Sequence, residues 1–189
     1  MTNSTGVNSK VPDRESLIQK FVAAAEGSRA TVERLPHSPE SLKGAVQHNL
    51  AGSGKALLAE PDDLPPELWA PLRDLEQVIE HPTDDQLRSV SVGITDAFAG
   101  VARTGSVCVA MTGNLGGAVS LFPRRHIAVL EARNIVPRPG DVLTAGQLEN
   151  KGLERSFVFI TGPSVTADMG ELVQGVHGPD HLHIIILEE

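Results

Sequence analysis

The strongest constraint on the fold is a set of apolar runs that do not alternate cleanly with polar residues. Ser156–Thr161 reads SFVFIT and Leu182–Leu187 reads LHIIIL. A strand with one wet face alternates with period two, so runs like these need cover on both faces. Ile127–Leu130 (IAVL) reads as a third buried strand. Strand and helix patterns alternate from residue 106 onward. Ser106–Met111 is β-rich, Leu115–Phe122 is a short apolar helix after Gly113, and Asp141–Asn150 reads as a helix with Val142, Leu143 and Leu148. The expected class is α/β, a three-layer sandwich with a largely parallel central sheet. A length of 189 residues suits one such domain.

The first half carries weaker patterns. Met1–Pro12 is polar and reads as a flexible arm, which leaves 13–189 as a single domain. Leu17, Phe21 and Ala24 recur at helical spacing between a candidate N-cap, Asp13, and a candidate break, Gly27. Thr31–Leu50 is ambiguous, with Leu42, Val46 and Leu50 able to form one side of a helix that starts after Ser38 and Pro39. Lys55–Glu60 (KALLAE) reads as a buried strand, Asp62–Leu72 as a Pro-rich loop with one helical turn, and Leu75–Glu80 as another strand. Thr83 caps a short helix that holds Leu87. Val90–Val101 and Ser106–Met111 flank Arg103-Thr104-Gly105 as a hairpin.

Composition narrows the function classes. A net charge of −8 argues against general binding to nucleic acid or anionic membranes. Aromatic residues make up 3% of the chain, with no Tyr and one Trp, so a base-stacking surface is not expected. The single thiol, Cys108, closes no internal disulfide and cannot by itself hold a cluster that needs four thiolates. No cofactor and no metal are expected, and a reducing, cytoplasmic setting fits. Met1–Pro12 lacks a signal-peptide pattern, and no apolar run approaches the roughly 18 residues of a membrane span.

Four loops carry possible chemistry. Ala51-Gly-Ser-Gly-Lys-Ala56 lacks the spacing and the hydroxyl residue of a phosphate loop and reads as a turn before a strand. Thr112-Gly-Asn-Leu-Gly-Gly117 joins a strand to a helix start, where free N–H groups attract anions. Thr161-Gly-Pro-Ser-Val-Thr-Ala-Asp168 follows a strand in the same way and is rich in capping residues. It misses the nucleophile elbow by its last residue, so capping and ligand contact are the roles expected of Ser164. Ligands of open α/β sheets sit outside the carboxyl ends of the strands. The loops after Met111, Leu130 and Thr161 are therefore expected to converge there, bringing together Asn114, Gly116, Gly117, Glu131, Arg133, Ser164 and Thr166. Arg124, Arg125 and His126 precede a strand and belong at the opposite end. His181 and His183 share a strand face, but a metal site needs three or four ligands. His177 is expected to hydrogen-bond its turn to the Thr161–Asp168 loop.

Several stretches resemble one family. Ile160-Thr-Gly-Pro-Ser-Val-Thr-Ala-Asp168, followed by Gly175-Val-His-Gly-Pro179 and a terminal strand, is similar to the lactate-utilisation (LUD) domain family. So are Gly93-Ile-Thr-Asp-Ala-Phe-Ala-Gly-Val-Ala-Arg-Thr-Gly-Ser106 and Ala118-Val-Ser-Leu-Phe-Pro123. The resemblance covers about residues 88–189 and departs from the family pattern at Arg103, Val165 and Met169–Glu171. It implies the fold shared with sugar-phosphate isomerases, CoA transferases and formyltetrahydrofolate cyclo-ligases. It also implies an accessory, non-redox role in oxidising L-lactate to pyruvate, beside iron–sulfur partner proteins. A stand-alone enzyme acting on a phosphorylated or carboxylate metabolite is the alternative. The resembling stretches add Thr104, Gly105, Ser106, Gly162, Asp168 and His177 to the candidate residues for a small carboxylate or phosphate-type anion. They supply no catalytic residue.

Overall fold

A computed structural model describes residues 13–61, 63–111, 115–144, 156–166, 173–175 and 177–189. The first half runs α1 (Arg14–Gly27), β1 (Thr31–Pro36), α2 (Pro39–Leu50), β2 (Ala56–Leu58), α3 (Pro66–Arg73), β3 (Val78–Ile79) and α4 (Asp84–Ser89). The middle holds β4 (Val92–Ala97), β5 (Ala99–Val101), β6 (Ser106–Ala110), α5 (Gly116–Leu121) and β7 (Arg125–Glu131). A 3-10 turn (Ala132–Asn134), β8 (Ile135–Val136), α6 (Pro139–Val142), β9 (Phe157–Ile160), β10 (Val165–Thr166), β11 (Val173–Gln174) and β12 (His181–Glu188) complete it.

Six strands form a parallel sheet in the order β1-β12-β7-β4-β2-β3. Its two faces explain the unbroken apolar runs. Ile127, Val129, Ile185 and Leu187 pack with Leu42 and Val46 of α2 and Trp69 of α3. Ala128, Leu130, Ile184 and Ile186 point the other way, onto Leu17 and Phe21 of α1. Each fully buried side chain of this size stabilises the fold by about 1.5–3 kcal/mol. Three local signals explain where these elements begin. Ser38 caps α2 by accepting from Ser41 N, and Thr83 and Gln86 form a reciprocal capping box on α4. Gly52 and Gly54 take positive φ in the turn before β2.

The expected three-layer α/β class with a parallel central sheet is present, and two strands depart from their expected place by lying in the third layer. That layer is not helical throughout but includes a second sheet, β8-β5-β6-β9, in which β6 runs antiparallel to both β5 and β9. The Ser106–Met111 and Ser156–Thr161 runs therefore belong to this sheet and not to the parallel one. Their inward residues Val107, Val109, Val158 and Ile160 close over α1 and the parallel sheet, so the burial pattern is the same in either location. The expected strand Val90–Val101 bends at Phe98, placing β4 in one sheet and β5 in the other.

Smaller corrections follow from local physics. β1 lies within the stretch left ambiguous, because its burial alternates at the sheet edge and gives no apolar run. The Pro-rich loop holds a two-turn helix, α3, entered through Pro66 and burying Leu68, Trp69 and Leu72. The strand expected at Leu75–Glu80 shortens to Val78–Ile79, and Asp13 provides no side-chain cap. The helix expected over Asp141–Asn150 ends at Val142, leaving Leu143 exposed; positions 145–150 lie outside the described residues. The proposed arm, 1–12, also lies outside them.

Candidate functional site

Arg124, Arg125 and His126 lead into β7, and His181 N donates to Arg124 O where β12 begins beside it. The second sheet ends over these amino ends. Ser106 and Thr161 lie one step beyond the Val107–Ile160 pair, with their hydroxyl oxygens 2.6 Å apart; Thr104 Oγ1 is 2.6 Å from Ser106 Oγ. Gly162 follows with φ of 64°, and a Cβ there would lie 2.0 Å from Ser28 O. Only glycine lets this loop press on the end of α1. Gly105 does the same at φ of 66°, against Ala25.

Backbone bonds then join two loops. Ser164 N donates to Pro179 O at 2.8 Å, and Gly175 N donates to Ser164 O at 2.9 Å. The expected join is present, but the exposed His177 side chain does not make it. Gly175 takes a φ of 77°, and Gly178 packs closely, since a Cβ on it would sit 3.3 Å from Ser164 Cβ.

Together these elements enclose a cavity of about 220 Å³. Its polar lining is Ser120, His126, Thr161, Ser164 and His177, and its apolar walls include Val158, Ile160 and Leu182. A second cavity of about 410 Å³ adjoins it, sharing Leu121, His177 and Gly178 and adding Phe122, Arg124 and Asp180. Arg124 pairs with Asp180 at 2.9 Å, and His181 Nδ1 lies 2.6 Å from the same carboxylate. Burial alone would raise the Asp180 carboxyl, but hydrogen bonds from His181 and Arg124 outweigh it and hold the group below its ordinary value.

His126 is the most perturbed group here. It is fully buried, and burial pushes its pKa down to about 4, so the ring is neutral near pH 7. Nε2 lies 2.8 Å from Thr95 Oγ1, while Nδ1 has no partner among the described residues. Opposite His126 on β4 stands Gly93, where a Cβ would fall 2.0 Å from Val119 O. This glycine lets the α5 backbone lie on the sheet and roof the imidazole.

The candidate residues divide between places. Gly162, Ser164 and His177 line the cavity, and Ser106 and Thr104 support Thr161 from behind. Thr166 sits on the β10–β11 ribbon, outside the lining. Gly116 and Gly117 open α5, which has only six residues; a Cβ on Gly117 would meet Met111 Cε at 2.9 Å, so packing accounts for the glycine. Asn114 and Asp168 lie outside the described residues. Glu131 and Arg133 are at the other end of the sheet, because β7 carries the chain the full length of the sheet between His126 and Glu131. The expected convergence at the carboxyl ends is thus replaced by one at the amino ends, where the antiparallel β9 delivers its loop.

Glu131 is buried in a bonded cluster. Arg133 Nη2 and Nε donate to it at 2.7 and 3.0 Å, Asn134 Nδ2 donates at 3.2 Å, and His37 Nε2 lies 2.8 Å away. The cavity beside it also presents Asp13, Glu15, Glu188 and Glu189, a carboxylate excess unsuited to an anion. Asp96 is pinned too, accepting from Asp63 N at 2.7 Å. Lys55 Nζ donates to Glu76 O at 2.6 Å, which ties it to the turn. His183 bonds Thr31 and Asn49, away from His181, and no metal-holding group of His, Cys, Asp or Glu occurs among the described residues. Sequence reasoning named His126 but placed it away from the loops. The available signal was a polar residue entering an otherwise apolar buried strand.

A family profile for the LUD domain matches residues 62–187. The chain belongs to the LUD domain family. This LUD chain is 32% identical over 168 residues to "Lactate utilization protein C" of Geobacillus kaustophilus, covering 78% of itself and 69% of that protein. It is 33% identical over 125 residues to the protein of that name from Halalkalibacterium halodurans, and 33% over 103 residues to that of Bacillus subtilis. Those matches span 54% and 43% of the relatives' lengths, so the LUD chain aligns with about half of each. A crystal structure of a DUF162 family protein from Deinococcus radiodurans shares the fold, with a TM-score of 0.69 at 19% identity. That match covers 93% of this LUD chain and 99% of the other. No helix among the described residues is long and apolar enough to cross a membrane.

Proposed function

We propose that this chain is a non-redox component of an L-lactate utilisation system and holds a small carboxylate at the amino ends of β7 and β12. The convergence of the Thr161–Ser164 and His177–Pro179 segments on one compact cavity carries the reading. These are the stretches that resemble the family, and relatives that match this chain are named for lactate utilisation. Arg124 supplies a cation in the adjoining cavity. Cys108 supports a non-redox part, because burial pushes its thiol up to about 12 and a thiolate is the form that ligates or attacks. Electron transfer then falls to partner proteins with iron–sulfur clusters, in the cytoplasm.

Calorimetry with L-lactate, pyruvate and inorganic phosphate tests the binding, and growth on lactate of a strain lacking the gene tests the role. Binding of lactate or pyruvate, with growth restored equally by the parent and by Cys108→Ser, is expected. Turnover of lactate by the purified chain alone, or restored growth without any binding, overturns the accessory reading.

A further inference from the structure

We infer that Thr95 locks His126 as the Nδ1–H tautomer, and that this N–H seats the second oxygen of a short 2-oxo or 2-hydroxy acid in the cavity. The inference deepens the carboxylate reading above and rests on it for the ligand, though not for the tautomer.

The tautomer follows from hydrogen-bond accounting. Thr95 is 1% exposed, and its hydroxyl carries one proton that needs an acceptor. Among the described residues, its side-chain partner is His126 Nε2, 2.8 Å away. Thr95 therefore donates and Nε2 accepts. A neutral imidazole has one N–H, so the proton sits on Nδ1. That nitrogen is the one buried side-chain polar atom without a partner among the described residues. A buried donor left unmade is unfavourable; Nδ1 is closed to water here, so an oxygen from the cavity that His126 lines reaches and relieves it only as the lining yields.

The lining sets the ligand class. Among the described residues no Lys or Arg lines the inner cavity, and Ser120 Oγ already donates to Gly117 O. Recognition inside is thus a neutral donor between apolar walls, which suits a carbonyl or hydroxyl oxygen better than a full charge. The adjoining cavity holds Arg124, which pairs with Asp180 but keeps a side chain 83% exposed, so a partly hydrated carboxylate reaches its outer face. A short acid with a second oxygen beside its carboxylate satisfies both ends.

Nitrogen NMR of the full chain tests the tautomer, and calorimetry compares L-lactate and pyruvate with propionate, the same carbon skeleton without the second oxygen. The parent protein is expected to show His126 as Nδ1–H and to bind lactate or pyruvate about tenfold more tightly than propionate, the worth of one neutral hydrogen bond. In His126→Gln the preference disappears, because the glutamine amide replaces Nε2. In His126→Asn, whose amide nitrogen replaces Nδ1, part of it returns. Should either variant fail to fold, the parent's tautomer and propionate comparison still decide. An Nε2–H tautomer overturns the inference whatever binds. Equal affinity for propionate, or a preference unchanged in a folded His126→Gln, overturns it while leaving the carboxylate reading intact. If the parent binds neither oxygenated acid, the carboxylate reading fails, and the ligand assignment fails with it.

Discussion

Acidification provides a direct measure of how completely His126 is buried. Its ordinary pKa is 6.5, and burial in the folded chain lowers it to about 4. Between those values the unfolded chain binds a proton that the folded chain refuses, so stability falls as the pH falls. The contribution is fully present above the unfolded value and is lost as pH drops through the folded one. A one-proton difference gives a slope of about 1.4 kcal/mol per pH unit, or about 3 kcal/mol across the window. The chain's 24 Asp and Glu residues titrate nearby and complicate any single curve. Subtracting the curve of His126→Gln removes their common contribution. Urea unfolding of both proteins from about pH 7 to about pH 4 is the assay, the slope being the protons taken up on unfolding. Relative to the variant, the parent should lose about 3 kcal/mol over that range. Parallel curves refute the reasoning: the ring would then titrate as in water, and the cavity would be open to solvent.

Three further outcomes are expected. Gly93→Ala and Gly162→Ala both drive a Cβ to 2.0 Å from a backbone oxygen, and each should lower stability by at least about 1–3 kcal/mol in denaturant titrations. An unchanged midpoint would show that α5 or the end of α1 can yield. Glu131→Gln should cost about 1–3 kcal/mol, discounted because Arg133 is more than half exposed, and should leave acid binding at the other end of the sheet unchanged in calorimetry. Cys108 should resist an aromatic disulfide reagent at neutral pH until denaturant is added; rapid reaction of the native protein would contradict its burial.

Much of the fold was legible because burial on both faces leaves a mark in the chain itself. The runs at Ile127–Leu130 and Leu182–Leu187 demanded cover on each side, and α1 with α2 provides it. Helix starts at Ser38 and Thr83 were legible because capping is chemistry within four residues. The motifs around Ser106, Gly162 and His177 marked the segments that meet at the cavity. Their meeting place was not legible. An apolar strand carries no label for its sheet or its direction, so Val107 and Ile160 read identically in a parallel sheet and in the antiparallel one where they lie. That direction decides which end of the parallel sheet receives the Thr161–Ser164 loop. It separates Glu131 from Ser164 and brings His126 to the cavity instead. Only the tertiary structure sets this, because the direction of β9 depends on pairing between residues 47 to 53 positions apart, while the sequence pattern records only how deeply each residue is buried.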